Sequence, residues 1–218
     1  MQECCRVLRP QGILRIAVPD LEQIIRSYIF TLEQALAGSQ EAADNCNWLL
    51  LELFDQMVRN QAGGYMAAYL RQPHISNEAF ILKRLGTEAK NLIEAGHQMQ
   101  QTPQSSDSWI KRTFRPAYRI LREANYRRET FLKLILRSSD YQALQVGRFR
   151  QGGEIHQWMY DRYSLKLILE QCNFIQIVQC TATTSYIADW SSFNLDTEPD
   201  GSIYKPDSLF MEAIKPSA

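Results

Sequence analysis

The densest group of chemically active side chains in this sequence lies at residues 148–161, just before a predicted helix. Two glycines there are followed by Glu154, His156, Trp158 and Tyr160. If the backbone is extended, these alternate side chains share one face. Because an imidazole titrates near neutral pH, His156 is the candidate catalytic base, and Glu154, Trp158 and Tyr160 are candidate substrate-binding residues. The competing interpretation is structural, with the two aromatic side chains in the core and the other two making hydrogen bonds.

A second candidate group precedes the pair Gly63-Gly64, near the end of a predicted helix. Asp55 and Arg59 are four residues apart, so their side chains can pair on one helix face. If that face borders the site, both are candidate substrate-binding residues. The alternative is an ordinary solvent-exposed ion pair, after which the two glycines end the helix.

A basic stretch at residues 109–137 raises the question of nucleic-acid binding. It contains nine Lys or Arg residues and two Glu residues, with aromatic side chains between them. The whole chain, however, has 24 Lys or Arg and 24 Asp or Glu residues, so no net field attracts a polyanion. We therefore expect an amphipathic helix with a basic solvent face and no nucleic-acid partner. The basic positions are 111, 112, 115, 119, 122, 127, 128, 133 and 137.

The remaining composition argues against several kinds of site. The three histidines are scattered and no Cys/His spacing matches a zinc site, so we expect no bound metal. The five cysteines are odd in number and have no CxxC spacing, which is typical of reduced thiols in a cytoplasmic protein. We expect no membrane span, because the apolar runs are short. The sequence has no GxGxxG, P-loop or GxSxG motif.

The elements that would position the candidate residues form an α/β pattern. Three apolar runs predict strands, and the first is almost continuous, which is typical of a strand covered on both faces. These runs are residues 13–18, 174–180 and 209–214. Between the first two runs the apolar periodicity is mostly helical. We therefore predict an α/β domain formed by residues 1–20 and 150–218, with a large helical insertion at residues 21–149.

Three blocks of the sequence carry a family resemblance. The first runs from Arg6 to Ile16 and continues through Val18-Pro19-Asp20-Leu21. The second is Gly153–Asp161 with Ser164-Leu165, and the third is Lys205–Lys215. In this order they resemble blocks of the class I S-adenosylmethionine-dependent methyltransferases of the type-11-like group, the second block matching a bacterial branch.

The resemblance implies a partial Rossmann-like methyltransferase sheet of about three strands. They would correspond to strands five, seven and six of the family fold, with the last strand of the chain antiparallel between the other two. The family's glycine-rich loop and acidic residue, which hold S-adenosylmethionine, have no counterpart here. We therefore expect a truncated, C-terminal part of such an enzyme. The cofactor of the full-length family is S-adenosylmethionine, and we do not expect this chain alone to bind it.

The resemblance also implies methyl transfer to a small-molecule or glycan-type acceptor, with the helical insertion shaping the acceptor site. Whether this chain is itself an enzyme stays open at this point. The free edge of strand 13–18 is a predicted site of pairing with a missing N-terminal half or with a second copy. The alternative is a non-catalytic interaction protein that uses the helical insertion as its binding surface.

Overall fold

The computed structural model describes residues 1–101 and 123–217. Residues 102–108, which are rich in Gln, Ser and Pro, and the first part of the basic stretch 109–137 lie outside the described residues. The helices, in chain order, are α1 Gln2–Val7, α2 Leu21–Leu36, α3 Gln40–Val58, α4 Gly64–Leu70, α5 Glu78–Leu85, α6 Thr87–Gln101, α7 Ala124–Ile135, α8 Ser138–Gln151 and α9 Arg162–Gln171. The strands are β1 Ile13–Pro19, β2 Ile175–Cys180 and β3 Ser208–Ile214, and a 3₁₀ turn covers Trp190–Phe193.

The three strands form one sheet in the order β1-β3-β2. β3 is antiparallel to both neighbours, with Ile13 opposite Ile214 and Pro19 opposite Ser208. β1 and β2 are therefore parallel to each other, and helix α9 precedes β2 in the connection between them. The predicted α/β class and the three strands with an antiparallel last strand are confirmed.

β1 is less buried than its apolar sequence predicts. The residues of β1 are partly exposed, Ala17 most of all, whereas the five central residues of β3 are buried. The apolar run of β1 is therefore only partly buried and does not form the fully covered strand that its sequence predicts. The physical reason is its position at the sheet edge, where β3 is its only partner strand among the described residues. Pairing of this edge with a further chain stays a prediction.

Helix α9 packs on one face of the sheet and supplies Leu165 and Leu169, both fully buried, to a core that includes Leu209, Met211 and Ala213. Asp161 caps this helix by accepting hydrogen bonds from the backbone N–H groups of its first turn, together with Ser164 in a capping box. The sequence predicts this cap, because Asp161 directly precedes a helical segment whose apolar residues are Leu165, Leu167, Ile168 and Leu169.

The opposite sheet face is closed by the long connection between β2 and β3. Arg15 donates to Glu212 at 2.7 Å and to Asp196 of the connection at 2.7 Å, and its guanidinium lies 4.6 Å from the ring centroid of Trp190. The Glu212 side chain is fully buried and also accepts from the N–H of Tyr186. This charged cluster holds the connection onto the sheet.

The helices between β1 and α9 have a second core formed by α3 to α6. Its buried members are Trp48, Leu70, Ile75, Ile81, Leu85, Ala89 and Ile93. A buried ion pair crosses it, because Glu52 of α3 accepts two hydrogen bonds from Arg84 of α5 and a third from the indole of Trp48.

Two helix boundaries differ from those that the apolar periodicity predicts, which are a helix from Asn45 capped by Asp44 and a continuous helix from residue 77 to about residue 101. α3 begins at Gln40 under a Ser39 cap instead of at Asn45 under Asp44, because Asp44 accepts a hydrogen bond from Ser76. The continuous helix predicted for residues 77–101 is divided at Gly86, which has a φ of +60°. A Cβ atom there would lie 2.7 Å from the carbonyl oxygen of Tyr204, so only glycine fits this approach.

Candidate functional site

A cleft of about 480 Å³ lies between α3, α4, α6 and two loop segments, residues 154–156 and 205–207. One part of its wall is apolar and the other part is polar. The large apolar side chains of the wall are Met66, Leu70, Leu85 and Leu92. The polar and charged side chains are Gln56, Arg59, Arg71, Glu88, Glu154, His156, Lys205 and Asp207.

Three hydrogen bonds hold the loop of residues 154–156 against the end of α3 and the turn that follows it. The Nη2 atom of Arg59 donates to the carbonyl oxygen of Glu154 at 3.1 Å, and the Glu154 carboxylate accepts from the N–H of Gly63 at 3.2 Å. The N–H of His156 donates to the carbonyl oxygen of Gln56 at 3.0 Å. The structure therefore brings together three of the residues that the sequence singles out: Arg59, Glu154 and His156.

Asp55 does not pair with Arg59, and it does not line the cleft. Its carboxylate is buried and accepts hydrogen bonds from the N–H groups of Tyr65 at 2.8 Å and Met66 at 3.3 Å. These groups belong to the first turn of α4, whose free N–H groups favour a carboxylate. The predicted ion pair on one face of α3 is thus wrong, because the turn at Gly63-Gly64 brings the next helix onto Asp55.

We expect the substitution Gly64→Ala to lower the free energy of unfolding by about 2 kcal/mol. Gly64 has a φ of +55°, and a Cβ atom there would overlap the carboxylate of Asp55. Urea denaturation followed by circular dichroism measures the change. The matched control is Gly147→Ala in α8, where a Cβ meets nothing within 4 Å and alanine is the better helix former. A Gly64→Ala variant as stable as that control would contradict this description of the α4 cap.

Trp158 and Tyr160 lie away from the polar part of this cleft. Residues 152–159 form no strand, so the condition under which the four side chains would share one face is not met. Trp158 is 64% exposed and lines a smaller neighbouring pocket of about 240 Å³ with Tyr160 and His156. Tyr160 also packs against the sheet core, and its carbonyl oxygen accepts from the N–H of Leu21 just after β1. His156 therefore stands between the two pockets.

The polar groups that approach the cleft from the other side come from the segment just before β3. Lys205 forms an ion pair of 2.6 Å with Glu88 at the start of α6. Asp207 is only 3% exposed, and its Oδ1 atom has no hydrogen-bond partner among the described residues. The sequence places Lys205 and Asp207 in the third block of the family resemblance, but it does not mark them or Glu88 as site residues. The available signal was the pair of charged residues flanking Pro206, immediately before a buried strand.

Burial and local charge change two proton affinities in this cleft. Burial, with a smaller contribution from the negative charge of Glu52, raises the pKa of Asp207 to about 6. Burial, followed by the positive charges of Arg59 and Lys205, lowers the pKa of His156. At pH 7 the imidazole is therefore neutral and able to accept a proton, and the carboxylate is a stronger base than an exposed aspartate.

Comparison with family models, curated proteins and solved structures finds no match. Two further observations concern the described residues. They contain no group of three or more His, Cys, Asp and Glu side chains that could hold a metal ion, and all five cysteines are free thiols. No helix among them has the length and apolar character needed to cross a membrane.

The arrangement offers three chemical functions in one partly enclosed space. Arg59 can donate a hydrogen bond to an anionic or carbonyl group, and Asp207 can accept one from a hydroxyl or amine. His156 can take a proton from a nucleophilic hydroxyl or amine. The cleft is therefore suited to holding a small polar compound and removing a proton from it.

Proposed function

We propose that this chain is the acceptor-binding part of a class I S-adenosylmethionine-dependent methyltransferase. The observation that carries the proposal is the sheet, in which the parallel strands β1 and β2 lie on either side of the antiparallel last strand, β3. Helix α9 precedes β2. This is the arrangement implied by the three sequence blocks. That this sheet belongs to a Rossmann-like methyltransferase fold is part of the proposal.

The position of the cleft relative to the sheet supports an acceptor site there. In open α/β sheets, ligands bind beyond the carboxyl ends of the parallel strands. β1 ends at Pro19, and the N–H of Asp20 donates to the carbonyl oxygen of Asp207 at 3.0 Å. The segment of residues 205–207, and with it the polar wall of the cleft, therefore lies at this end of the sheet.

The chain's own residues do not fit the cofactor. β1 ends at Pro19 and is followed by Asp20, which caps α2, and β2 is followed by Thr181-Ala182. Neither turn contains glycine, so neither resembles the glycine-rich loop that holds S-adenosylmethionine in the family. When bound, that cofactor supplies an electrophilic methyl group. In this proposal the chain binds and orients the acceptor, and His156 holds the proton that the acceptor releases.

We expect the isolated chain to bind S-adenosylmethionine no more tightly than about 1 mM, because a cradle for the cofactor is missing. Isothermal titration calorimetry measures this. A chimera that places the cofactor-binding half of a characterised class I methyltransferase before β1 is expected to bind the cofactor with a dissociation constant of about 10 μM. Micromolar binding by the isolated chain, or a folded chimera that does not bind, would contradict the proposal.

A second candidate function is that of a non-catalytic interaction protein. The observation that favours it is a set of large apolar side chains exposed on the helices. They include Ile29, Phe30 and Leu36 of α2 and Phe131, Leu134 and Ile135 of α7. Exposed apolar groups of this kind are typical of surfaces that contact other proteins. Comparing the cofactor titration of the chimera with that of the donated half alone separates the two functions, since an interaction protein would not tighten the cofactor binding of that half.

We also propose a cytoplasmic location, which the five free thiols support.

A further inference from the structure

The cleft contains two buried polar atoms that the protein leaves without partners. Among the described residues, the buried side-chain polar atoms with no hydrogen-bond partner are Asn45 Oδ1, Arg59 Nε and Asp207 Oδ1. Two of these three, those of Arg59 and Asp207, belong to side chains that line the same cleft. Because buried polar groups are nearly always hydrogen-bonded, two orphans at one site point to a ligand that completes them.

The two atoms require opposite groups on that ligand. Arg59 Nε is a donor and needs an acceptor, for which a carboxylate is the best match to a guanidinium. Asp207 Oδ1 is an acceptor and needs a hydroxyl or an ammonium group. Lys205, the neighbouring ammonium group, is already paired with Glu88. Arg59 donates to the carbonyl oxygen of Glu154 through Nη2, and its Nε atom keeps no acceptor among the described residues.

The remaining wall describes the body of the ligand. Met66, Leu70, Leu85 and Leu92 present aliphatic surface, and the described residues that line the cleft include no Phe, Tyr or Trp. A sugar or a nucleobase would find no aromatic ring on which to stack. The surface instead suits an apolar body, which gains free energy from leaving water. This argues for a compact amphiphilic acceptor over the glycan-type acceptor that the resemblance allows.

We infer that the cleft binds a small amphiphilic carboxylate that also carries a hydroxyl or ammonium group. The carboxylate lies on Arg59, the hydroxyl or ammonium group donates to Asp207, and the apolar body packs against Leu70, Leu85 and Leu92. This inference deepens the proposed function by naming the class of acceptor. Binding at these residues needs no cofactor, so the two can be tested separately.

The test is a calorimetric titration of the full chain with five compounds. Three carry both groups at different spacings: L-phenylalanine, 3-phenyllactate and 3-(4-hydroxyphenyl)propionate. Two controls carry one group each, 3-phenylpropionate and 2-phenylethylamine. Ligands of this size bind at about millimolar concentration. We expect at least one of the three to bind about tenfold more tightly than either control, since each control leaves one buried atom unpaired.

Two variants locate the binding. Arg59→Gln is expected to weaken the tightest of the three two-group compounds by about tenfold. Asp207→Asn removes the negative charge but keeps an acceptor oxygen, so it is expected to weaken phenylalanine more than phenyllactate. The controls Arg162→Gln and Asp140→Asn, both on exposed helix surface, are expected to change neither affinity. Circular dichroism confirms that each variant is folded.

Three results would overturn the inference: no binding of any two-group compound at about 10 mM, equal affinity for the one-group controls, or affinities unchanged by both variants. These results are distinct from failure of the methyltransferase proposal. If the probes bind as expected but the folded chimera does not bind S-adenosylmethionine, the proposed function fails and the ligand site stands. If the chimera binds the cofactor but no probe binds, the inference alone fails.

Discussion

Replacing Arg84 with methionine is expected to lower the free energy of unfolding by about 3 to 5 kcal/mol. Glu52 has no solvent exposure, and Arg84 holds its carboxylate with two hydrogen bonds of 3.0 and 2.6 Å. Methionine fills similar space but leaves a buried carboxylate whose only remaining side-chain donor, in the part of the chain that the structure describes, is the Trp48 indole. Because an unpaired buried charge is far more costly than a lost contact, we expect a large effect. Urea denaturation at pH 7 measures it.

A matched control separates this pair from ordinary ion pairs of the surface. Arg26 forms an ion pair of 2.8 Å with Glu22, but the Arg26 side chain is 73% exposed. Arg26→Met is therefore expected to cost less than about 1 kcal/mol. The double variant Glu52→Gln with Arg84→Met removes both charges and is expected to recover part of the loss. A loss below about 1 kcal/mol for Arg84→Met would show that the Glu52–Arg84 pair does not join α3 to α5 as described.

Asp207→Asn is expected to stabilise the protein above pH 6, by up to about 3 kcal/mol. The pKa of Asp207 is about 6 in the folded protein against an ordinary value of 3.8. Between these two pH values the folded state binds more protons than the unfolded state, so the stability contributed by this group is full below pH 4 and is lost as pH rises to 6. Asparagine does not titrate, so the variant does not lose this stability as the pH rises.

The measurement is the difference in unfolding free energy between Asp207→Asn and the wild-type chain at pH 4 and pH 7.5. Taking the difference removes most of the contribution of His156, whose lowered pKa acts in the opposite direction by favouring the folded state at higher pH. Asp140→Asn on the exposed surface of α8 is the control. A difference that does not change with pH would mean that the carboxyl of Asp207 is not held in a desolvating position.

The burial of the Asp207 carboxylate connects stability with function. A buried carboxylate with an unpaired oxygen atom is destabilising at neutral pH, and an asparagine or leucine would relieve it. Residues that destabilise a fold in this way are concentrated at functional sites. The expected gain in stability and the expected loss of probe binding in Asp207→Asn are therefore two measurements of the same feature.

Local signals in the sequence are enough to predict the strands of the sheet and helix α9 beside it. The apolar run at residues 13–18, the Asp161 cap and the closing run at residues 209–214 each depend on neighbours along the chain, and each forms nearly where it is predicted. The burial of β1 does not follow from its own residues, because it depends on which strands stand beside it. An identical run is buried at a sheet centre and half-exposed at an edge.

The cleft could be predicted only in part, because its walls are distant in sequence. Arg59, Glu154 and His156 stand out by residue type, and the structure places them together. Asp207 does not stand out, since one acid before a strand resembles an ordinary polar loop residue. Only the folded chain shows that it is 3% exposed and that its Oδ1 atom has no hydrogen-bond partner within residues 1–101 and 123–217.

The Asp55–Arg59 pair shows how tertiary contacts override a local rule. The spacing of four residues predicts a pair worth a few tenths of a kcal/mol. Capping the first turn of α4 satisfies two backbone N–H groups with a buried carboxylate, which is worth about 1 kcal/mol or more. The stronger interaction decides the position of Asp55, and Arg59 is thereby released toward the cleft.

The most direct test of the ligand site is a crystal structure of the chain grown with the tightest-binding of the three two-group compounds. We predict electron density in the cleft between α3, α4 and α6, with the carboxylate within hydrogen-bond distance of Arg59 Nε and the hydroxyl or ammonium group within that distance of Asp207 Oδ1. Density for the compound at the pocket beside Trp158, or anywhere else that leaves Arg59 and Asp207 uncontacted, would contradict the account.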